Sequence, residues 1–113
     1  MIDQVLLTNQ VTEEYLDKIQ SVKMSPCIFQ KRITKNYELR ITVAGNKIFP
    51  VKIYSQDDQA TNLDWRARPK LNDFNVKMEA TTIPVSIQNQ IRLFMKKLNL
   101  RFGCIDIIAR LLV

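Results

Sequence analysis

The strongest constraint on the fold is a pair of strand-like segments joined by a short turn. Across residues 38–43, apolar side chains alternate with polar ones, which is the period of a β-strand with two chemically different faces. A glycine-containing turn follows at residues 44–46, and a second strand-like segment occupies residues 47–54. This stretch therefore predicts a β-hairpin in which Arg40 points away from the apolar side of the first strand.

The second strand of this hairpin has a pattern of its own. It carries Phe49, Val51 and Ile53 at alternate positions, so these three side chains are predicted to share one face. Pro50 lies between them and has no backbone N–H to donate to a neighbouring strand. An edge position or a bulge is therefore predicted at Pro50.

The clearest helical pattern covers residues 84–98. Pro84 is placed where the first turn of a helix tolerates a missing N–H, and Asn99 is placed to end the helix because asparagine accepts the left-handed conformation. Four apolar residues recur at helical spacing and predict the face that packs on the core: Ile87, Ile91, Met95 and Leu98.

Weaker patterns predict the remaining elements. Strands are expected at residues 4–7, from Pro26 to Ile33, at the end of 70–79 and at 101–108, with a helix at 12–19 and a polar surface loop at 55–62. In the last strand, one face is predicted to carry Phe102, Cys104, Asp106 and Ile108, and the other Gly103, Ile105 and Ile107. The predicted fold class is α+β, an antiparallel sheet packed against one main helix with a smaller N-terminal helix beside it.

Composition excludes several kinds of site. The chain has 113 residues, of which 46% are hydrophobic and 25% charged, as expected for one folded domain or part of one. It contains no histidine, which excludes a Ser-His-Asp hydrolase and a histidine metal site. Cys27 and Cys104 lie far apart without a CxxC spacing, so no zinc site is expected and both are predicted to be buried as small hydrophobic residues.

The charge balance favours anionic partners. Seventeen Lys and Arg residues against eleven Asp and Glu residues give a formal net charge of +6, which attracts phosphates, nucleotides and acidic peptides. No apolar run has transmembrane length and no signal-peptide pattern opens the chain, so we expect a cytoplasmic protein with no membrane partner. Nucleic acid is not expected either, because no nucleic-acid-binding motif accompanies the charge.

Three stretches in a fixed order carry a family resemblance. They are PCIFQ at 26–30 with ELRITVAG at 38–45, SQ at 55–56 with DWR at 64–66, and LNLRFGCIDII at 98–108. Together they resemble the ATP-grasp ligases that mature graspetides, the microviridin-type crosslinked peptides, and more distantly the ribosomal-protein glutamate ligases and glutathione synthetases. The resemblance covers nearly the whole chain and implies the C-terminal portion of such a ligase, a single partial domain over residues 1–113.

The resemblance also implies roles for seven residues. It places ATP along Gln30, Lys31, Arg32 and Ile33, whose backbone groups would contact the adenine edge. Arg40 matches an arginine near the transferred phosphate, Arg66 matches one that holds the acceptor carboxylate or its acyl phosphate, and Asp106 matches the first of three Mg²⁺ ligands. Guanidinium groups suit both anions because they bind them in a planar, bidentate manner.

Parts of the family pattern have no counterpart in this sequence. No acidic residue that could hold the ribose occurs between Ile33 and Glu38, and the Glu and Asn that complete the metal site are lacking, as is the N-terminal lobe. One carboxylate alone holds Mg²⁺ weakly. We therefore expect the chain to be inactive by itself, to bind ATP and Mg²⁺ weakly, and to self-associate through an uncovered sheet edge.

The same residues also allow plainer interpretations. Arg40 is then a solvated charge on the hairpin, Arg66 packs on the edge of the Trp65 indole, and Asp106 is a carboxylate at a strand end. The resemblance favours a functional Arg40 and a metal-ligand ancestry for Asp106. For Arg66, function and packing are equally supported.

The functional prediction is a fragment of an ATP-dependent ligase that joins a carboxylate to an amine or hydroxyl within an acidic ribosomal precursor peptide. An alternative from another class is a non-catalytic basic module that binds an acidic peptide. A general nucleic-acid binder is a third possibility, suggested only by charge.

Overall fold

The computed structural model describes residues 7–67 and 76–110, which form a four-stranded antiparallel sheet and three helical segments. In chain order the elements are α1 (Glu13–Asp17), a 3₁₀ helix (Ile19–Met24), β1 (Tyr37–Ala44), β2 (Lys47–Ile53), β3 (Met78–Ala80), α2 (Val85–Lys97) and β4 (Phe102–Ala109). The strand order is β3-β2-β1-β4. The predicted α+β fold, with an antiparallel sheet and one main helix, is confirmed.

The predicted hairpin forms the centre of this sheet. Its strands β1 and β2 pair antiparallel up to the Ala44–Lys47 pair, and Gly45 makes the turn with a φ of 59°. Glycine carries no Cβ and adopts this left-handed conformation without strain. The tight turn fixes the register, so the strand that leaves β1 returns directly beside it.

The core lies between one face of the sheet, called here the helix face, and α2. Its buried residues come from β1, α2 and the segment before α2: Ile41, Val43, Ile83, Ile91 and Met95. Leu39, Ile48, Ile87, Ile105 and Ile107 pack around them, as the alternation of the strands requires. The polar residues of β1, among them Arg40, therefore lie on the opposite side, called the outer face.

The helix ends earlier than its apolar stripe predicted. Asn99 has the expected left-handed conformation, with a φ of 54°, and the Leu100 N–H donates to the Met95 carbonyl at 2.9 Å. Leu98 lies beyond the last helical turn and is 52% exposed, so its predicted place in the core is wrong. Leu98 is the C-cap residue of α2, whereas the buried residues Ile91 and Met95 lie within the helix.

Pro50 lies in β2, which is an inner strand with an unbroken register to β1, so the predicted edge position or bulge is wrong. Its carbonyl accepts a hydrogen bond from the Thr81 N–H at 3.0 Å, just past the last residue of β3. In an antiparallel strand, the N and O of one residue point to the same side. The missing donor therefore faces the end of β3, and the pairing of β2 with β1 is intact.

Three local predictions are wrong. The expected strand from Pro26 to Ile33 has no regular structure, and Ile28 is 87% exposed, because no neighbouring strand in the described chain pairs with this segment. Cys27 and Cys104 are both exposed rather than buried, the latter on the outer face of β4. A strand pattern specifies which residues share a face, but not whether another element covers that face.

Other differences concern extent. The N-terminal helix ends at Asp17, and a 3₁₀ helix follows it. In the loop at 55–62, Ser55 and Thr61 are buried, and the Thr61 hydroxyl donates to the Ser55 carbonyl at 2.9 Å. The strand expected at 4–7 falls mostly outside the described residues. Across the described ranges, no helix combines the length and apolar character needed to span a membrane.

Candidate functional site

An ion pair between two adjacent strands joins two of the predicted site residues. Arg40 on β1 lies opposite Asp106 on β4 in the sheet register, so both side chains project from the outer face. The Arg40 Nη1 lies 3.2 Å from Oδ1 and 3.3 Å from Oδ2 of Asp106. Both side chains remain substantially accessible, at 40% and 56% exposure, which leaves this pair open to a ligand.

Trp65 lies against the same arginine. The guanidinium carbon of Arg40 is 5.8 Å from the centroid of the Trp65 ring, within the range of a cation–π contact. Arg40 therefore makes a cation–π contact with this indole, which the sequence analysis did not predict. The contact brings the loop after β2 over the outer face of the sheet.

Asp64 fixes the other predicted arginine. The Arg66 Nε donates to Oδ1 of Asp64 at 2.9 Å, and Nη2 donates to Oδ2 at 2.7 Å. The backbone N–H groups of Arg66 and Thr8 donate to the same carboxylate, each at 3.1 Å. Asp64 is only 6% exposed, so these four donors compensate the cost of burying its charge.

The pKa values agree with this geometry. The hydrogen bond from the Arg66 side chain holds the pKa of Asp64 well below its usual range, with further lowering by the two backbone donors and opposition from burial. The same hydrogen bond raises the pKa of Arg66, and the charges of Asp106 and Glu38 raise it further. The charged form of Arg66 is therefore favoured mainly by Asp64 and to a smaller extent by the carboxylates of Asp106 and Glu38.

Two sets of contacts, joined through the chain at Trp65, are called here the arginine cluster: Arg40 with Asp106 and Trp65, and Arg66 with Asp64. Sequence reasoning found both arginines and Asp106, but gave Asp64 no role. The sequence signal for Asp64 was its position two residues before Arg66, because an Asp side chain commonly accepts a hydrogen bond from the backbone N–H two residues later. The hydrogen bond from Thr8, 56 residues away, has no comparable sequence signal.

The predicted adenine segment is not joined to this cluster. Gln30, Lys31, Arg32 and Ile33 are all exposed. The Arg32 Nη1 instead donates to Oε1 of Gln10 at 2.7 Å. Within the described ranges, no hydrogen bond or ion pair connects residues 30–33 with the arginine cluster. The role of this segment in binding ATP stays a prediction.

The described residues do not by themselves fit Mg²⁺. Among them, no three His, Cys, Asp or Glu side chains converge as a metal site would require. Mg²⁺ prefers six oxygen ligands in octahedral geometry, whereas the Asp106 carboxylate is paired with Arg40. The assignment of Asp106 as a metal ligand therefore rests on the resemblance alone.

The Arg40–Asp106 pair is expected to contribute little to stability. In a double-mutant cycle of Arg40→Gln and Asp106→Asn, followed by urea unfolding, we expect a coupling energy below about 1 kcal/mol because solvent screens exposed pairs. The matched cycle of Lys18→Gln and Glu14→Gln tests another exposed pair. A coupling above about 2 kcal/mol for Arg40 and Asp106 would contradict this expectation and indicate a structural role.

The solved structures that are similar to this chain include two peptide-bound proteins. One is a RiPP-associated ATP-grasp ligase from Chryseobacterium gregarium in complex with ADP and a leader and core peptide; it is 34% identical with a TM-score of 0.81, over 93% of this chain and 31% of that one. The other is the macrocyclase MdnC from Microcystis aeruginosa MRC, bound with the precursor peptide MdnA, at 35% identity and a TM-score of 0.71, over 92% of this chain and 30% of MdnC.

These similarities confirm the predicted resemblance to graspetide-type ATP-grasp ligases over nearly the whole chain. They also define its extent, since the chain spans less than a third of the length of either structure. No protein-family model matches the chain, and no curated protein sequence does.

Proposed function

We propose, from the premise that this chain is similar to one segment of RiPP-associated ATP-grasp ligases, that it forms part of an ATP-dependent peptide-modifying ligase. The observation that carries the proposal is the arginine cluster, where Arg40 pairs with Asp106 on the outer face and Asp64 holds the guanidinium of Arg66, next in sequence to the Trp65 that Arg40 contacts. The reaction would join a side-chain carboxylate to an amine or hydroxyl of a precursor peptide. The activity belongs to the longer architecture, of which this chain supplies one sheet.

The proposed chemistry has two steps. A peptide carboxylate oxygen attacks the terminal phosphorus of ATP, which forms an acyl phosphate and releases ADP. The amine or hydroxyl then attacks the acyl carbon, phosphate leaves with the bonding electrons, and an amide or ester results after loss of a proton. Both steps concentrate negative charge on phosphoryl and acyl oxygens, which guanidinium groups stabilise by paired hydrogen bonds.

The two arginines would act differently. Asp64 occupies Nε and Nη2 of Arg66, so the Nη1 end of a fixed guanidinium is the part directed to a substrate anion. Arg40 is held by the exposed Asp106 and the face of Trp65, and it can exchange these contacts for a phosphate oxygen. The fixed Arg66 and the exchangeable Arg40 suit a reaction in which the bond between the acyl oxygen and phosphate is first formed and then lost.

ATP is the proposed cosubstrate, supported by the ADP in the Chryseobacterium gregarium ligase. The proposed partner is a precursor peptide of acidic character, supported by the peptides bound in both similar structures and by the net charge of +6. Residues 30–33 would contact the adenine. We also propose that residues 1–113 form a single partial domain, that this domain is inactive alone, and that it is cytoplasmic. Self-association is supported by β4, an edge of the described sheet with Phe102 and Ile108 exposed.

The decisive experiment uses the protein that contains this sequence within the remaining ATP-grasp architecture, found by sequencing the DNA on both sides. With ATP and the adjacently encoded peptide, we expect the peptide to lose one water for each bond formed, as measured by mass spectrometry. Arg66→Gln and Arg40→Gln should each slow the reaction by roughly 10²-fold, because each removes a donor to developing negative charge. Lys23→Gln removes an exposed charge elsewhere and serves as the control.

The chain alone provides the complementary measurement. Millimolar MgATP should leave its melting temperature nearly unchanged, since weak binding stabilises a fold only by RT ln(1 + [L]/Kd). A rise of several degrees that Asp106→Asn abolishes would contradict the expected weak binding of MgATP by the isolated chain. Peptide binding without ATP consumption in the longer protein would instead support the alternative, a non-catalytic module for acidic peptides.

A further inference from the structure

A lysine outside the arginine cluster contacts both the sheet and the loop that carries Arg66. Lys35 lies two residues before β1, and its Nζ is 2.7 Å from Oε1 of Glu38 and 3.1 Å from the Leu63 carbonyl oxygen. Leu63 is 28 residues further along the chain and directly precedes Asp64. One side chain therefore joins the beginning of β1 to the loop after β2.

This contact is largely shielded from water. The side chains of Lys35 and Glu38 are only 9% and 13% exposed, whereas those of the ion pair between Lys18 and Glu14 are 70% and 81% exposed. Burying two opposite charges removes favourable hydration, and their attraction compensates for this only when further hydrogen bonds complete the geometry. The Leu63 carbonyl supplies such a bond, so the loop is part of the environment that the buried pair requires.

The sheet fixes the backbone from which Lys35 reaches the loop. The Asn36 N–H donates to the Ala109 carbonyl at 2.8 Å, which attaches the segment before β1 to the end of β4. Glu38 lies opposite Ile53 in the register of β1 and β2, and Ile53 is buried, so this end of the outer face is covered. Lys35 is therefore held at the ends of two strands, beneath a covered part of the sheet surface.

Other contacts of the loop fix it less directly to β1. Among the described hydrogen bonds, those donated by the Thr61 hydroxyl and the Gln56 amide stay within the loop. Arg40 of β1 contacts the Trp65 ring, but the Arg40 side chain is itself substantially exposed to solvent. Lys35 therefore supplies a shielded attachment between the beginning of β1 and the loop.

We propose that Lys35 is a positioning residue of the arginine cluster, which holds the loop through Glu38 and the Leu63 carbonyl so that Trp65 and Arg66 keep their places. The inference rests on the proposed function for what the position of Arg66 serves. Lys35 itself does not contact the substrate, since its ammonium group is shielded and already donates to two oxygens. A group displaced by about 1 Å can slow a reaction by roughly 10²-fold, so fixing the loop affects the rate as well as the stability.

The first test uses the fluorescence of Trp65, which is the single tryptophan of this chain. In the folded Lys35→Met variant, we expect Trp65 to emit at longer wavelength and to be quenched more strongly by acrylamide, because a loop with fewer fixed contacts opens more often to water. Lys18→Met removes the lysine of an exposed ion pair and is the matched control, which should change neither quantity. Lys35→Arg keeps a charged donor and should restore the parent emission.

The second test measures ligation by the longer protein. Lys35→Met should lower kcat by at least roughly tenfold, as expected when a catalytic group is misplaced, and should leave the KM for ATP nearly unchanged. Circular dichroism melting checks that each variant folds. If Lys35→Met does not fold, the double variant Lys35→Met/Glu38→Leu removes both buried charges, a change that often preserves stability. The same changes in Trp65 emission and in kcat are expected for the double variant.

Several outcomes would overturn the inference. Unchanged emission and quenching of Trp65 in a folded Lys35→Met chain would show that the loop does not depend on this lysine. A large rise in the KM for ATP with Trp65 unmoved would show that Lys35 contacts the nucleotide itself. Ligation that Lys35→Met leaves unchanged would sink only the positioning role. No ligation by the parent protein, with Trp65 still responding to Lys35→Met, would sink the proposed ligase and leave the attachment of the loop established.

Discussion

Replacing Asp64 with Asn is expected to lower the free energy of unfolding by roughly 2–4 kcal/mol. The Asp64 carboxylate is nearly buried and accepts four hydrogen bonds, from Thr8, the Arg66 backbone and two nitrogens of the Arg66 side chain. Asparagine has the same shape but presents an amide donor to a guanidinium that also donates. Urea unfolding followed by circular dichroism measures the loss, which for a domain of this size corresponds to a melting temperature lower by on the order of 10 °C.

Asp57→Asn is the matched control for this substitution. Asp57 lies in the same loop, is exposed and accepts no side-chain hydrogen bond among the described residues, so its replacement should change stability by less than about 0.5 kcal/mol. Equal effects of the two substitutions would show that Asp64 is not the organising residue of the arginine cluster. A large loss of unfolding free energy for Asp64→Asn alone would support Asp64 as the residue that holds Arg66 in place, although Asp64 has no proposed part in the reaction.

The effect of Asp64 should also depend on pH in a defined direction. Its pKa in the folded chain lies well below the ordinary value of 3.8, chiefly because of the hydrogen bond from Arg66. The stabilisation is therefore complete above that ordinary value and is lost as the pH falls towards the folded pKa. The difference in unfolding free energy between the parent chain and Asp64→Asn should narrow as the pH is lowered below about 4.

Ile41→Ala is expected to destabilise the chain by about 3–4 kcal/mol. Ile41 is completely buried between β1 and α2, where its side chain contacts the core formed with Ile91 and Met95. Truncation removes three carbon atoms and leaves a cavity, because close-packed surroundings relax only in part. Urea unfolding at neutral pH measures the change.

Ile108→Ala provides a control of the same chemistry. Ile108 lies in the neighbouring β4 but points to the outer face and is 40% exposed, so its truncation should cost less than about 1.5 kcal/mol. Losses of similar size at Ile41 and Ile108 would contradict the assignment of the core to the helix face. That outcome would imply that the outer face is covered in solution, for example by a second copy of the chain.

Part of the candidate site was accessible from the sequence. Arg40 and Asp106 were each singled out by a local pattern together with the family resemblance, and the structure places them opposite one another in the sheet. Asp64 was part of the DWR motif but was given no role of its own, although it accepts both side-chain hydrogen bonds of Arg66. A sequence gives the residue types near Arg66, but the N–H of Thr8 reaches Asp64 only after the chain has folded.

The sequence by itself determined the elements whose pattern is repeated within one segment: the β1–β2 hairpin with Gly45 at its turn, α2 ended by Asn99, and the alternation of β4. Tertiary structure alone decided that residues 26–33 pair with no strand of the described chain, that Cys27 and Cys104 are exposed, and that Arg40 contacts Trp65. The physical reason is the distance along the chain over which the deciding interactions act. Backbone conformation and side-chain periodicity are fixed by neighbours a few residues away, whereas burial and pairing depend on which distant segment arrives at each face.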